Sequence, residues 1–313
     1  MRITVCLTDN NRPEPWVAGL QAELPHADIS PWSPGDVPAD HAVVWAPPQE
    51  FLDEQQQLRG LFNIGAGVDA LLKLNLPPQT RIVRLDDAGM SVQMAEYVCH
   101  ALIRHFREFD VYEADAREGR WSYRRPRERK DFTVGVMGLG VLGERVGKAI
   151  GQFEFPVTGW SRSPKQIDGI RCFSGEAGFD DFLAASRVLV CLLPLTAQTR
   201  GILCRDNLLK LNGGKPGGYI INVARGAHLV EDDLIPLLDA GQLAGATLDV
   251  FTAEPLAPEH PFWRHPKITV TPHASARTLR EESIAQIAGK IRALEAGAAF
   301  DALPGVVDPR RGY

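Results

Sequence analysis

Residues Thr133 to Phe153 read TVGVMGLGVLGERVGKAIGQF, and this stretch limits the possible fold more than any other. Val134, Val136 and Met137 are apolar and largely β-forming. Gly138, Gly140 and Gly143 follow at the spacing G-x-G-x-x-G, and apolar residues then return at helical intervals at Leu142, Val146, Ala149 and Ile150. A strand, a glycine turn and a helix in that order have a physical use. The first glycine permits the tight turn and the second lets a pyrophosphate approach the backbone. The third lets the helix lie close on the sheet, its N-terminal amides facing the anion. Such a turn can also be purely structural, but the strand before it and the amphipathic helix after it favour a dinucleotide. Leu139, Val141 and Leu142 then belong with the three glycines to the cofactor-facing loop.

The rest of the chain alternates in the same way. Before residue 90, apolar runs (ITVCL, HAVVWAPP, LFNI, TRIVRL) are separated by helical stretches such as WVAGLQAEL. Beyond the glycine helix come PVTGW, FDDFLAAS, RVLVCLLPLT, YIINVARG, VEDDLIPLLDAG, GATLDVF and KITVTPHAS. This alternation predicts parallel sheets covered by helices. At 313 residues there is room for two cores. The segment from Met90 to Phe109 has the spacing of one long helix linking two domains, and the amphipathic segment 281–296 is expected to return to the first. The predicted architecture is α/β: two doubly wound parallel-sheet domains, a Rossmann-type cofactor domain (99–276) inserted in a flavodoxin-like substrate domain (1–98 plus 277–313), with a cleft between them.

Composition narrows the function classes. A net charge of −5 offers no broad basic surface for nucleic acid, and no apolar run is long enough to span a bilayer. The N-terminus MRITVCLTDNN reads as a first strand rather than a signal peptide, so a cytoplasmic protein is expected. Cys6, Cys99, Cys172, Cys191 and Cys204 form no C-x-x-C pair and read as reduced thiols; no histidine or carboxylate spacing suggests a metal site. The basic run Arg124 to Lys130 reads as a solvated loop, with a cofactor phosphate or partner subunit as the alternative. Trp121 and Tyr123 stand in a charged segment, where aromatics pack on their own domain or cover a subunit interface; a homodimer is expected. A second small glycine turn, Asn63 to Asp69, ends the LFNI strand and is expected to open a helix. Its amides could hold a carboxylate, or it is simply a tight turn.

Three polar residues fall at the ends of successive predicted strands: Arg225 after YIINVA, Glu254 after ATLDVFTA and His273 after ITVTP. Parallel sheets place their reacting groups at such strand ends. Chemistry on a 2-oxo acid needs this set. A guanidinium grips the carboxylate in a planar fork, an imidazole gives a proton to the reduced carbonyl, and a carboxylate orients and charges the imidazole.

The strings that carry these residues make the likeness specific. Gly138-Leu139-Gly140-Val141-Leu142-Gly143, Asn222-Val223-Ala224-Arg225-Gly226, Leu248-Asp249-Val250-Phe251 with Glu254-Pro255, and Thr271-Pro272-His273 resemble the signatures of D-isomer-specific 2-hydroxyacid dehydrogenases, with order and spacing agreeing over nearly the whole chain. Within that family, Val43 to Pro48, Asn63 to Asp69, Trp160 to Ser163 and the terminal Arg311-Gly312-Tyr313 resemble the glyoxylate/hydroxypyruvate reductase A branch. The resemblance implies that Arg225 binds the substrate carboxylate and carbonyl, that His273 is the general acid/base and that Glu254 is its partner. It also implies that the amides of Ala66 and Gly67 grip the carboxylate, and that Trp45 and Trp263 shape a small pocket. Asp249 would contact the nicotinamide end of the cofactor, with Leu193, Pro194, Thr199, Val223, Ala224, Arg225 and His273 along its course.

One departure from the NAD pattern bears on the cofactor. About 20 residues past the glycines, NAD proteins place an acid on the ribose hydroxyl. This chain has Trp160-Ser161-Arg162-Ser163 there. Arg162 can fork a 2′-phosphate, Ser161 and Ser163 can donate to it, and Lys165 is a weaker accomplice, so NADPH is expected over NADH. The function expected is reduction of small 2-oxo acids, glyoxylate and hydroxypyruvate first. The alternatives are oxidation of phosphite or phosphoglycerate by a relative of this fold, and a dinucleotide-sensing corepressor-like protein.

Overall fold

Two parallel sheets organise the chain, which the computed structural model describes over residues 1–8, 12–308, 310 and 312. Arg311 and Tyr313 of the C-terminal string lie outside the described residues. The chain divides into two compact units, Met1–Met90 with Thr278–Tyr313 and Ser91–Arg277.

The first unit contains β1 (Arg2–Leu7), α1 (Glu14–Glu23), β2 (Asp28–Pro31), β3 (His41–Trp45), α2 (Gln49–Glu54), β4 (Gly60–Asn63) and β5 (Arg81–Arg84). Its sheet runs β2-β1-β3-β4-β5, all parallel, the order of flavodoxin-like folds. Every residue of β4, and all of β3 but Trp45, is buried. That is why these strands read as continuous apolar runs rather than alternating ones.

The segment expected to form one long helix is broken. α3 (Met90–Phe106) stops, Glu108 takes a left-handed conformation at φ 55°, and α4 (Phe109–Arg117) starts afresh. The basic run supplies the reason. Arg124 and Arg127 both reach the Glu108 carboxylate, at 3.2 and 2.9 Å, and Arg127 also donates to the His105 carbonyl at the end of α3. Arg129 donates to the Phe153 carbonyl and lies over the rings of Phe106 and Phe155. Arg124, Arg127 and Arg129 of the run are thus spent on a helix end and on aromatic faces within their own unit.

The second unit continues through β6 (Val134–Met137), α5 (Val141–Gly151), β7 (Val157–Ser161), β8 (Arg171–Ser174), α6 (Phe179–Ala185), β9 (Val188–Cys191), α7 (Arg205–Leu208), β10 (Gly218–Asn222), α8 (Glu231–Asp239), β11 (Leu243–Leu248) and β12 (Ile268–Val270). Its sheet order is β12-β11-β10-β9-β6-β7-β8, all parallel. This is the doubly wound dinucleotide order with one extra strand, and the order reverses between β6 and β9, where such folds bind their ligand. α9 (Arg280–Glu295) then closes the first unit. It buries Ile284, Ile287, Ala288 and Ile291, a stripe at helical spacing, and packs on α1, where Gly19 leaves room for the Ile284 side chain.

Candidate active site

The glycine turn after β6 assigns a separate task to each glycine. Gly138 has φ 99°, and a side chain there would also meet the Leu192 carbonyl at 2.8 Å. At Gly143 an added Cβ would stand 1.8 Å from the Gly138 carbonyl, so only glycine lets α5 start this close to the turn. Nothing lies within 4 Å of the corresponding position at Gly140, which leaves the backbone open to a ligand at the N-terminus of α5. Leu139 is buried under the turn, Val141 is exposed and Leu142 is half-buried. The loop therefore fits a pyrophosphate.

At the end of β7, the neighbour of β6, Arg162 and Ser163 are exposed. Ser161 is buried, and its hydroxyl donates to the Ser163 carbonyl at 2.8 Å, holding the bend that presents Arg162. The Lys165 ammonium sits on the Leu139 carbonyl, at the glycine turn itself.

The loop after β9 lies across the switch point from the glycine turn. Thr199 closes it by donating its hydroxyl to the Pro194 carbonyl at 2.7 Å, and Leu193 is buried beneath. The loop after β10 carries Val223 and Ala224, both buried, and then Arg225, half-buried. The Arg225 guanidinium donates to the Ala224 carbonyl at 2.7 Å. Gly226 has no room for any side chain, because a Cβ would fall 1.8 Å from the Phe251 carbonyl carbon. That close approach brings the Arg225 loop against the loop after β11.

The loops after β11 and β12 supply the acid–base pair. His273 Nδ1 lies 2.8 Å from Glu254 Oε2, and Glu254 Oε1 accepts the Phe251 amide at 2.9 Å. Burial pushes the Glu254 carboxyl up. The hydrogen bonds from His273 and the Phe251 amide, with the charges of His273 and Arg225, outweigh it and hold the carboxyl below its ordinary range. Arg225, Glu254 and His273 are thus brought together in one unit. Asp249, 0 % exposed, has its carboxylate engaged by Thr271 and by the amides of Ala274 and Ser275. Trp263, further along the same loop, is exposed and donates its indole N–H to the Ala257 carbonyl.

In the first unit, Trp45 and the turn after β4 are packed together. The Trp45 ring lies on Gly65, where a Cβ would stand 2.4 Å from it. The turn opens into a 3₁₀ turn, Leu71–Lys73, rather than the α-helix its sequence suggests. Asn63 Nδ2 donates to the carbonyls of both Gly65 and Gly67 at 2.9 Å, which holds residues 64–67 as an open loop, and Pro77 and Pro78 stop any extension. Ala66 and Gly67 are half-buried in that loop.

Comparison with known proteins identifies the family. Residues 99–275 match the model described as D-isomer specific 2-hydroxyacid dehydrogenase, NAD binding domain. This chain is a D-isomer-specific 2-hydroxyacid dehydrogenase by family. The glyoxylate/hydroxypyruvate reductase A of Serratia proteamaculans is 48% identical over 307 residues, 96% of each chain, and that of Yersinia enterocolitica is 46% identical over 305 residues. Among solved structures, a D-isomer-specific 2-hydroxyacid dehydrogenase from Xanthobacter autotrophicus in complex with NADPH and MES superposes with a TM-score of 0.92 at 38% identity, covering 99% of both chains. An NADPH-dependent glyoxylate/hydroxypyruvate reductase from Sinorhizobium meliloti, in complex with NADP and sulfate, gives 0.91 at 35% identity over 100% of this chain and 99% of its own.

Two residues of this dehydrogenase escape a reading of sequence strings. His228, 0 % exposed, accepts the Arg225 amide on Nδ1 and contacts the Pro194 carbonyl through Nε2, both at 3.3 Å. Nδ1 also lies 3.1 Å from the Arg225 carbonyl, so His228 ties the Arg225 backbone to the loop after β9. Asn63 does the corresponding work in the first unit. The three-residue offset of His228 from Arg225 was the only sequence signal for the first; the second had none beyond Asn at a strand end.

Proposed function

We propose that this dehydrogenase is an NADPH-dependent reductase of small 2-oxo acids, converting glyoxylate to glycolate and hydroxypyruvate to D-glycerate. The observation that carries the reading is the His273–Glu254 pair held at 2.8 Å with the Arg225 charge beside it. NADPH, when bound, supplies the hydride. The glycine turn would hold its pyrophosphate, with Arg162 and Ser163 at the 2′-phosphate and Lys165 between them and the turn. Leu193, Pro194, Thr199, Val223 and Ala224 would line its course, and Asp249 would stand at its nicotinamide end.

Arg225 takes the substrate carboxylate and polarises the neighbouring carbonyl; the amides of Ala66 and Gly67 with Trp45 are the first unit's candidates for substrate binding, and Trp263 is a further candidate of the second unit. Because Nδ1–H of His273 points to Glu254, the proton given to the substrate oxygen leaves from Nε2. The negative Glu254 stabilises the protonated ring before that step and keeps its orientation afterwards. The test is NADPH oxidation by the purified protein with glyoxylate and hydroxypyruvate. Tight NADPH binding without turnover of any small 2-oxo acid would replace the reductase reading with a dinucleotide-sensing one.

Arg162→Ala is expected to raise the KM for NADPH by about 10–100-fold, the loss of one or two hydrogen bonds to a charged group, while the KM for NADH stays within about two-fold. An equal change for both cofactors would remove Arg162 from the 2′-phosphate.

The quaternary reading is a homodimer, in the cytoplasm. Asp115 holds Arg120 and the Ser122 hydroxyl, and the residues that alternate with them in the chain, Trp121 and Tyr123, are left 102 % and 81 % exposed. Aromatic side chains so placed suit a protein interface. Sedimentation of the wild type should give a dimer, and the double change Trp121→Ser with Tyr123→Ser should give monomer at the same concentration. A wild-type monomer would remove the assignment. No helix among the described residues is long and apolar enough to cross a membrane.

A further inference from the structure

Three consecutive backbone amides around the acid–base histidine end on one residue. The His273 N–H donates to the Asp249 carbonyl, the Ala274 N–H to Asp249 Oδ1 and the Ser275 N–H to Asp249 Oδ2, each at 2.8 Å. His273 itself has φ 52°, a conformation that a residue with a Cβ keeps only where its surroundings hold it. Asp249 is what holds it, and Asp249 in turn is fixed from further away. Thr271 Oγ1 lies 2.5 Å from Asp249 Oδ1, and Tyr97 Oη lies 2.5 Å from Thr271 Oγ1. A carboxylate can only accept, so the Thr271 hydroxyl must donate to Asp249. Its own oxygen is then the acceptor for the Tyr97 O–H.

We propose that Tyr97, on α3, is a positioning residue for proton transfer: through Thr271 it fixes the Asp249 carboxylate, and through Asp249 it sets the backbone that places the His273 imidazole. The role rests on the reductase reading for its kinetic consequence, but not for its structural one. Burial and the nearby Asp249 charge push the Tyr97 phenol up to about 12 against the pull of its bond with Thr271, so it remains a donor under assay conditions. A hydroxyl that donates to a carboxylate while accepting from a phenol is polarised by both contacts, so the two bonds reinforce each other.

Alternative uses of these groups would behave differently. If Thr271 only filled space, valine would serve as well as threonine, since the two side chains have the same shape. If Tyr97 only packed its ring against the core of the second unit, phenylalanine would serve as well as tyrosine.

The experiment compares Thr271→Val, Thr271→Ser, Tyr97→Phe and the double variant Tyr97→Phe with Thr271→Val, each in the full chain. Steady-state reduction of glyoxylate is measured together with NADPH affinity and with amide hydrogen exchange at residues 273 to 275. Thr271→Val is expected to lower kcat by about 10–100-fold with NADPH affinity changed less than about two-fold, because the group disturbed acts in the transition state. Thr271→Ser should recover kcat to within about three-fold of wild type. Tyr97→Phe should lower it several-fold, and in the valine background it should do nothing further, as one series of bonds requires. Exchange at residues 273 to 275 should rise at least about ten-fold in both Thr271→Val and Tyr97→Phe. Unchanged exchange in those variants, or a serine variant as slow as the valine one, overturns the proposal. If the wild type reduces no 2-oxo acid, the reductase reading falls. The exchange rates then decide by themselves whether Tyr97 and Thr271 hold the His273 loop.

Discussion

Replacing His273 with alanine is expected to lower kcat for glyoxylate reduction by about 10²–10⁴-fold, the usual worth of a positioned general acid, while NADPH binding changes by no more than a few-fold. The step removed is the transfer of a proton to an oxygen that gains negative charge as the carbonyl is reduced, and solvent water replaces a poised acid poorly there. Glu254→Gln isolates the partner's share. Glutamine can still accept from Nδ1–H across the 2.8 Å contact, but it brings no negative charge to the ring. Without that charge the imidazole keeps its orientation and loses its ionic partner, so Glu254→Gln should lower kcat, but by less than His273→Ala does. The acid side follows from Glu254 itself. Its folded carboxyl is held below the ordinary range, so its ionised form contributes stability above the unfolded value and loses it as pH falls through the lower, folded one. The pair should therefore survive mild acid in the wild type. Steady-state rates of the three proteins check the first statement and unfolding measured across mildly acid pH checks the second; a Glu254→Gln kcat equal to wild type would mean that Glu254 orients the ring without charging it.

How far the molecule was legible from its sequence depends on where each residue sits in the sheets. Central strands such as VGVM, VLVC and GYIIN are buried on both faces, and their apolar runs announce them. The two strands that the periodicity does not reveal, β2 (DISP) and β8 (RCFS), are both at sheet edges, where no residue pattern is enforced by burial on two sides. The break after α3 was hidden for another reason. Residues 90 to 109 have unbroken helical spacing, and the kink at Glu108 is fixed by Arg124 and Arg127, contacts made 16 and 19 positions away. Local propensity has no access to such pairs.

The site divides in the same way. Arg225, Glu254 and His273 follow strands whose C-terminal ends must converge, so their order in the chain already implies their meeting. Residues that act through other residues carry no such signal. His228 has no part in the motifs of the sequence, and its role shows only where its ring is found between Arg225 and Pro194. Ser161, read as a phosphate donor, uses its hydroxyl to shape the bend beneath Arg162. Asp249, read as a cofactor contact, has every hydrogen bond of its carboxylate described above directed at the His273 loop.

Arg225 offers the sharpest test of substrate class. Arg225→Ala should lower kcat/KM for glyoxylate by about 30–4,000-fold, since removing one partner of a desolvated, bidentate pair with a carboxylate costs roughly 2–5 kcal/mol and 1.4 kcal/mol is a factor of ten. Part of that loss should appear in kcat, because the same guanidinium faces the carbonyl oxygen on which charge develops. Arg225→Lys keeps the charge near Glu254 but not the planar fork, so it should recover less than about a tenth of the lost activity. The backbone cannot shift to compensate, because Gly226 is packed against the Phe251 carbonyl and the Arg225 amide is tied to His228. An aldehyde without a carboxylate, such as glycolaldehyde, separates recognition from chemistry. The wild type should prefer glyoxylate strongly, and Arg225→Ala should lose most of that preference while its residual rate on the aldehyde stays within about ten-fold of wild type. If the preference survived intact in the alanine variant, the carboxylate would be gripped elsewhere, and the amides of Ala66 and Gly67 would become its principal anchor.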